Sequence, residues 1–316
     1  MLSISGNVRP ININRGRPRV VRNVANEELV LDLVRADPEL SVRRIASRTG
    51  ISPSVVWRIL HQNNMYPYHR QRVQELLPRD YPARLIFSQT IIDKITINPN
   101  FLKNILFTDE AMFTKDGIFN QHNSHLWSEE NPRAVRIRGS QYKFSINIWC
   151  GLVGNTLLGP HELPARLNGQ GFLDFIMYNL PVLLENVPLE VQETMWFMLD
   201  GAPAHHTIAV RQQLHYLFPD KLIGREAGNN AQYRPDIAWP PRSPDFNPCD
   251  FFLWGFMKEQ VYANEINNRE ELLMKINNVA DIIRQTPNLL EKTWDSLHRR
   301  MEKCIEVNGG HIEQLL

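Results

Sequence analysis

The chain has 316 residues, 43% of them apolar and 22% charged, with a formal net charge of +1 at pH 7. That composition fits an ordinary globular protein with room for two domains, and it excludes collagen-like, low-complexity and largely disordered classes. No run approaches the ~18 apolar residues of a membrane span, and the first residues show no secretory apolar core, so no membrane partner is expected. Cys150, Cys249 and Cys304 are odd in number and widely spaced. They suggest a reducing compartment and match neither a disulfide framework nor a zinc-ligand pattern.

The small net charge conceals an asymmetry. Residues 1–72 hold twelve arginines against five acids, a net +7, which leaves −6 for the rest. A basic first segment on an acidic body reads as a polyanion-binding module or, more plainly, a solvated tail. Residues 1–25 have no apolar period and contain Arg15-Gly16-Arg17-Pro18-Arg19. Gly and Pro keep that stretch extended, and Arg17 and Arg19 suit the negative potential of an A·T-rich minor groove.

Three short helices are expected next. Asn26 is placed to cap the first, through Val34, with Glu27 and Glu28 in its opening turn. The second runs from Ser41 to a stop at Gly50. The third opens at Ser52 with Pro53 in its first position and continues through Leu60. Two helices around a Thr-Gly-Ile turn fit a helix-turn-helix, with Ile45, Ile51, Val56 and Ile59 as its core. In that motif the last helix enters the major groove, which puts Ser52, Ser54, Val55 and Arg58 on base edges and Arg43, Arg44 and Arg48 on phosphates. A three-helix protein-binding module is the competing reading; the arginines and the Arg-Pro-Arg arm favour DNA.

The expected organisation is an arm over 1–25, a helix-turn-helix domain over 26–66, a linker over 67–100 with an amphipathic helix from Ala83 to Ile95, and an α/β domain over 101–316. In the last, strands are expected at Asn104–Thr108, Lys143–Leu152, Thr156–Leu163, Thr194–Leu199 and Asp236–Trp239. Helices are expected at Gly171–Leu184, His205–Phe218, from Pro248 onward, and within 269–308.

Three acids stand out by position. Asp109 follows the apolar run Ile105–Thr108, Asp200 follows Met195–Leu199, and Asp250 falls in the first turn of the helix after Ser243-Pro244-Asp245-Phe246-Asn247-Pro248-Cys249. Strands that end side by side put their terminal carboxylates on one rim, and a helix across that rim adds a third. Such a set suits two Mg²⁺ or Mn²⁺ ions, which favour hard oxygen ligands and drive in-line displacement at phosphodiesters. Each aspartate alone has a simpler reading as a turn or helix-cap residue. Glu110 is expected on the opposite strand face, and Asp245 as a turn-former able to support the site. His205 and His206 are read as helix N-terminal residues that could contact phosphate or shuttle a proton.

Thr108-Asp109-Glu110-Ala111, Leu199-Asp200-Gly201-Ala202-Pro203-Ala204-His205 and Trp239–Trp254 resemble the three catalytic blocks of mariner-superfamily transposases. The Gly16-Arg17-Pro18-Arg19 arm before a helix-turn-helix is similar to that family's DNA-binding region. The resemblance spans about residues 15–262 and implies a ribonuclease-H-like catalytic domain. It also implies Mg²⁺-dependent cut-and-paste transposition by a homodimer on terminal inverted repeats and target DNA, in the nucleus. Carried over, Asp109, Asp200 and Asp250 are the three metal-holding catalytic acids. Two departures accompany it. The chain shows one helix-turn-helix module where the family usually has one on each side of the arm, so the first is expected to be lacking. The second and third acids are also separated by 49 residues, more than is usual, with the excess in a polar loop within Glu226–Asp236. A truncated or domesticated DNA-binding protein without catalysis is therefore the alternative expectation.

Overall fold

The computed structural model describes residues 23–68, 73–115, 117, 144–226 and 233–316. The Arg-Pro-Arg arm, with Arg17 and Arg19, lies outside the described residues, as does most of the polar loop between Glu226 and Asp236. The chain divides into two compact units, Met1–Arg70 and Gln71–Leu316.

The first unit is built of α1 (Val24–Ala36), α2 (Val42–Thr49) and α3 (Pro53–Gln62). Asn23, not Asn26, caps α1; the Asn23 side chain accepts from the Asn26 amide at 2.8 Å. The helix thus opens one turn earlier than its acids suggested. Ser41 caps α2 through the Arg44 amide, and Gly50 ends it at φ 70°, a left-handed conformation that favours glycine. Ser52 occupies the cap position of α3 without making the cap hydrogen bond; its hydroxyl meets that of Ser54 at 3.2 Å instead. Ile45, Ile51, Val56 and Ile59 are buried together with Val30 and Ala46, as the apolar spacing required.

The second unit begins with α4 (Asp80–Ile97) and contains β1 (Ile105–Thr114), β2 (Ser145–Val153) and β3 (Thr156–Leu163). The expected helix over 171–184 is α5 (Gly169–Asp174), a π turn at Phe175–Asn179 and α6 (Leu180–Leu184). There follow α7 (Leu189–Thr194), β4 (Trp196–Met198), α8 (Ile208–Leu217), β5 (Leu222–Gly224) and β6 (Ile237–Ala238). A π turn over Cys249–Leu253 leads into α9 (Trp254–Val261), and α10 (Arg269–Gln285) and α11 (Leu289–Glu306) close the unit.

These strands form one mixed sheet in the order β3-β2-β1-β4-β5-β6. The β1–β2–β3 meander is antiparallel, while β4 runs parallel to β1, and β5 and β6 continue parallel beyond it. This is the mixed α/β sheet of the ribonuclease-H-like expectation. Period-two alternation divides the side chains between two cores. Phe107, Ala111, Phe113, Ile148 and Cys150 face a core with α4 and α9–α11. Leu106, Trp149 and Val153 face a second with α5, α6 and α8.

Residues 80–97, expected in a linker, are part of this second unit. Phe87 and Ile91 of α4 are buried in its core, and Arg84, 1% exposed, forms a forked pair with Asp245 at 2.8 and 2.6 Å. The same guanidinium donates to Ser243 Oγ and to the Gly309 carbonyl, both at 2.9 Å, and lies 4.4 Å from the Phe246 ring centroid. A fully buried charge so completely paired fixes α4 to the turn that precedes Asp250.

Candidate active site and nucleic-acid interface

The acids meet because of strand register. β1 and β4 pair in parallel through Phe107 and Met198. Asp109 and Asp200 each follow that pair by two residues, so both reach the rim where β4 stops. Thr108 Oγ1 ties the rim together by donating to the Met198 carbonyl at 2.9 Å. Asp109 was expected at a strand end. It lies within β1, because β2 continues the ladder past it, pairing Asp109 with Cys150 and running to Thr114.

Asp250 arrives from the other side, on a turn with several anchors. Arg242 sits at φ 54°, a region that strains a non-glycine residue, and its guanidinium is held in an ion pair by Asp80. That pairing lowers the Asp80 carboxyl below its usual range, Arg242's hydrogen bond being the largest cause. Trp239 and Phe246 both pack on Phe87 of α4, with ring centroids 5.1 and 5.9 Å away. Asn247 Nδ2 donates to the Thr108 carbonyl at 3.4 Å, and its Oδ1 accepts from the Cys249 amide at 3.1 Å. The turn is therefore bonded directly to the strand that carries Asp109. Trp254 Nε1 completes the arrangement by donating to Asp109 Oδ2 at 2.7 Å.

Two carboxylate settings result. Asp109 and Asp250 form one. Burial, then the charge of Asp250, pushes the Asp109 carboxyl up to about 8, against the pull of the Trp254 hydrogen bond. The Asp250 side chain opens onto the cleft, yet the packed walls raise it to about 6; the Asp200 charge adds to this, while hydrogen bonds with Asp109 and Asn247 oppose it. The two titrate as a pair.

Asp200 belongs to the other setting. Its Oδ1 accepts from the Ala202 amide at 2.8 Å and from His205 Nδ1 at 2.9 Å. His205 Nε2 reaches Glu110 Oε1 at 3.3 Å. Burial alone would lower the His205 pKa, but the hydrogen bonds to Asp200 and Glu110 raise it to about 10, so both ring nitrogens carry protons at neutral pH. Burial would raise Asp200, and the His205 bond and charge overcome it, holding the carboxyl below its usual range. His205 lies in a short 3₁₀ turn, Pro203–His206, ahead of α8 and is 3% exposed. It is thus a bridge between two carboxylates, a role that its place near a helix start did not reveal. Glu110 does point away from Asp109, toward the Phe172 and His205 side of the sheet, as alternation predicts.

Asp109, Glu110, Asp200, Asn247 and Asp250 line one cleft of about 1280 Å³, whose walls also carry Arg79, Arg225 and Arg242. This exceeds the usual size of a small-molecule site. Asp109 and Asp250 fit a divalent cation well, because a dication would offset the burial and like charge that raise both. No three His, Cys, Asp or Glu side chains among the described residues are gathered around one metal position. Asp200 would have to leave His205 to join the pair.

In the first unit, Arg43, Arg44, Arg48, Ser52, Ser54 and Arg58 are all exposed, while Ile45, Ala46, Ile51 and Val56 between them are buried. Trp57, 52% exposed beside Arg58, adds an aromatic face that spacing alone did not single out. No described helix is long and apolar enough to cross a membrane.

Residues 25–60 match a family model described as winged helix-turn-helix DNA-binding. Among solved structures, the chain is similar to a Mos1 transposase paired-end complex with left transposon end. The TM-score is 0.69 at 17% identity, covering 95% of this chain and 82% of that one. A Mos1 mariner paired-end complex with Mn gives a TM-score of 0.71 at 17% identity, covering 94% and 82%. The catalytic domain of Mos1 mariner transposase gives 0.55 at 18% identity, covering 77% and 100%. The chain has the mariner transposase fold. A search of curated proteins by sequence finds no match. The mariner fold thus joins a helix-turn-helix to a ribonuclease-H-like domain here, in the order expected from the sequence.

Proposed function

We propose that this chain is a mariner-superfamily DNA transposase that cleaves and joins phosphodiester bonds at transposon ends. The observation that carries the proposal is the convergence of Asp109, Asp200 and Asp250, from two strands and a helix start, on one large cleft. A cleft lined by carboxylates repels a polyanion unless cations intervene, so its chemistry calls for divalent metal. Structures of the Mos1 transposase were solved with Mn or Mg. In this chain Asp109 and Asp250, joined by Asp200 on its release from His205, would hold two Mg²⁺ or Mn²⁺ ions. When bound, these supply positive charge to the attacking and leaving oxygens of an in-line displacement.

The protein's own contribution is positioning. Trp254 fixes one oxygen of Asp109, Asn247 joins the Asp250 turn to β1, and the Arg84–Asp245 pair keeps that turn in place. Arg79, Arg225 and Arg242 on the cleft walls offer contacts for a DNA backbone. The helix-turn-helix would supply recognition. Ser52, Ser54 and Arg58 would contact base edges in terminal inverted repeats, Arg43 and Arg44 would contact phosphates, and Arg17 and Arg19 would enter the adjoining minor groove. The acting form would be a homodimer holding transposon ends and target DNA in the nucleus.

A second reading, a DNA-binding protein without catalysis, is favoured by one observation: Asp200 Oδ1 is already engaged by His205 and the Ala202 amide. Nicking of supercoiled plasmid by purified protein, with Mg²⁺ or Mn²⁺ against EDTA, separates the two. Metal-dependent nicking that Asp250→Ala abolishes supports the transposase. Equal, negligible nicking by both, with DNA binding retained, supports the second reading.

A further inference from the structure

Beside the acid cleft lies a small pocket in which donors outnumber acceptors. Arg211 and His215 stand four residues apart on α8, so their side chains share one helix face. Arg211 Nε and Nη1 and His215 Nε2 are sealed from solvent, and they find no hydrogen-bond partner among the described residues. Buried donors of this kind are rare in folded proteins, because each forfeits its hydration with nothing in return. A guanidinium is the worst case, since it cannot shed its charge.

The mostly apolar wall around them carries one more cation, Arg225, and one acid, Asp200. The pocket, about 30 Å³, is lined by His206, Arg225 and Tyr233 as well as Arg211 and His215. The His206 imidazole is pushed below its usual range by burial and then by the charges of Arg225 and Arg211. Asp200 borders the pocket, but its Oδ1 is occupied by the Ala202 amide and His205. A volume of 30 Å³ holds about two waters, which is room for phosphate oxygens and too little for a sugar or base. Asp200 and Arg225 line both this pocket and the large cleft, so the two spaces adjoin.

We propose that this pocket binds a phosphate group, whose oxygens accept hydrogen bonds from Arg211 and His215 under the charge of Arg225. The phosphate could belong to a DNA backbone lying in the cleft or be free in solution. Only the DNA source rests on the transposase reading; the phosphate chemistry stands without it.

The test uses the full chain and Arg211→Met, which keeps the aliphatic stem and removes the stranded donors. Melting is followed in inorganic phosphate and in chloride at matched ionic strength. The wild-type Tm should rise by about 3 °C once phosphate exceeds its Kd roughly tenfold. Arg211→Met should lose that rise and melt in chloride no lower than the wild type, because the donors it removes were unsatisfied. His215→Phe should reduce the rise in the same way. Equal melting of the wild type in both salts overturns the proposal, as does a phosphate shift that survives in Arg211→Met. A fall in the chloride Tm of Arg211→Met also overturns it, by showing that the arginine has a structural partner.

A DNA arm identifies the source. If the phosphate comes from a single strand in the cleft, the slope of log K against log salt should fall by about 0.7 in Arg211→Met. An unchanged slope with a lost phosphate shift assigns the pocket to free phosphate. Neither readout needs cleavage, so a catalytically silent protein would leave this result intact.

Discussion

The rim of the sheet holds two carboxylate settings a few residues apart, and they resolve the same electrostatic problem in opposite ways. At Asp109 and Asp250, burial and like charge outweigh the hydrogen bonds from Trp254 and Asn247, and both acids hold their protons more tightly than usual. At Asp200 and Glu110, a buried imidazolium sits between the acids and offsets part of their charge. The second pair has a cation bonded between its acids, whereas the first feels the Lys258 charge only through space, at Asp250. Acids raised by burial and like charge gain most from a bound metal, whereas acids already paired must first be released. The rim is therefore half prepared for metal and half closed by His205.

The most severe way to break this contrast is to remove the unneutralised pair. Asp250→Ala or Asp109→Asn should lower metal-dependent nicking by at least about 10³-fold, because charge stabilisation at the reacting oxygens is lost. Folding should survive. Asp109→Asn removes a buried carboxyl that must hold a proton the unfolded chain releases, and keeps an acceptor for Trp254 Nε1, so it should melt at or above the wild-type temperature near pH 7.5. A loss of nicking accompanied by a large fall in Tm would mean that Asp109 acts through the fold instead.

Next in size is the support behind Asp250. Arg84→Ala strands Asp245, 5% exposed, without its guanidinium, and should cost about 3–5 kcal/mol in urea unfolding. Arg84→Lys keeps the charge but loses the fork to Asp245, Ser243 and Gly309, and should recover only part of that stability. If Arg84→Lys restores stability while nicking stays low, the forked geometry positions Asp250 as well as holding α4. If both recover together, the arginine serves the fold alone.

How far the sequence revealed this contrast depends on the distance over which each feature is encoded. The caps of α2 and the start of α3 were legible because Ser41, Gly50 and Pro53 act on backbone one turn away, although Ser52 makes no cap hydrogen bond. Asp109 and Asp200 stood out because each follows an apolar run of four or five residues, and Asp250 because it falls in the first helical turn after a Pro-rich stretch. The linker assignment failed for the opposite reason: α4 is fixed by Asp245, 161 residues distant, and nothing within 80–97 specifies that partner. β5 is three residues long, too short for any alternation to show. The His205 bridge was hidden as well. Alternation did send Glu110 to the far face, but only the registered pairing of β1 with β4 shows that His205 is there to meet it.

A smaller effect comes from opening the closed half. His205→Gln should lower stability by about 1–2 kcal/mol, a modest figure because Asp200 is 40% exposed and water can replace part of the lost bond. The same substitution frees Asp200, so the apparent Mg²⁺ concentration for half-maximal nicking should fall. An unchanged Mg²⁺ requirement would mean that His205 does not limit access of Asp200 to metal.

The pH dependence of melting separates the two settings without any chemistry, through the pH windows in which each binds protons. An unfolded aspartate titrates near 3.9, while Asp109 and Asp250 are raised to about 8 and about 6. Between pH 4 and 8 the native pair therefore holds protons that the unfolded chain releases, and stability falls as pH rises. His205 is raised from 6.5 to about 10. Its contribution is fully present below pH 6.5 and is lost as pH rises through 10. Asp109→Asn should therefore flatten the Tm profile mainly from pH 5 to 8, and His205→Gln mainly from pH 7 to 10. Mg²⁺ at pH 7.5 should raise the wild-type Tm by binding the native acids, and should do so less in Asp109→Asn. If the two variants flatten the same window, the acids and His205 form one coupled network, and the division of the rim into an open and a closed half is wrong.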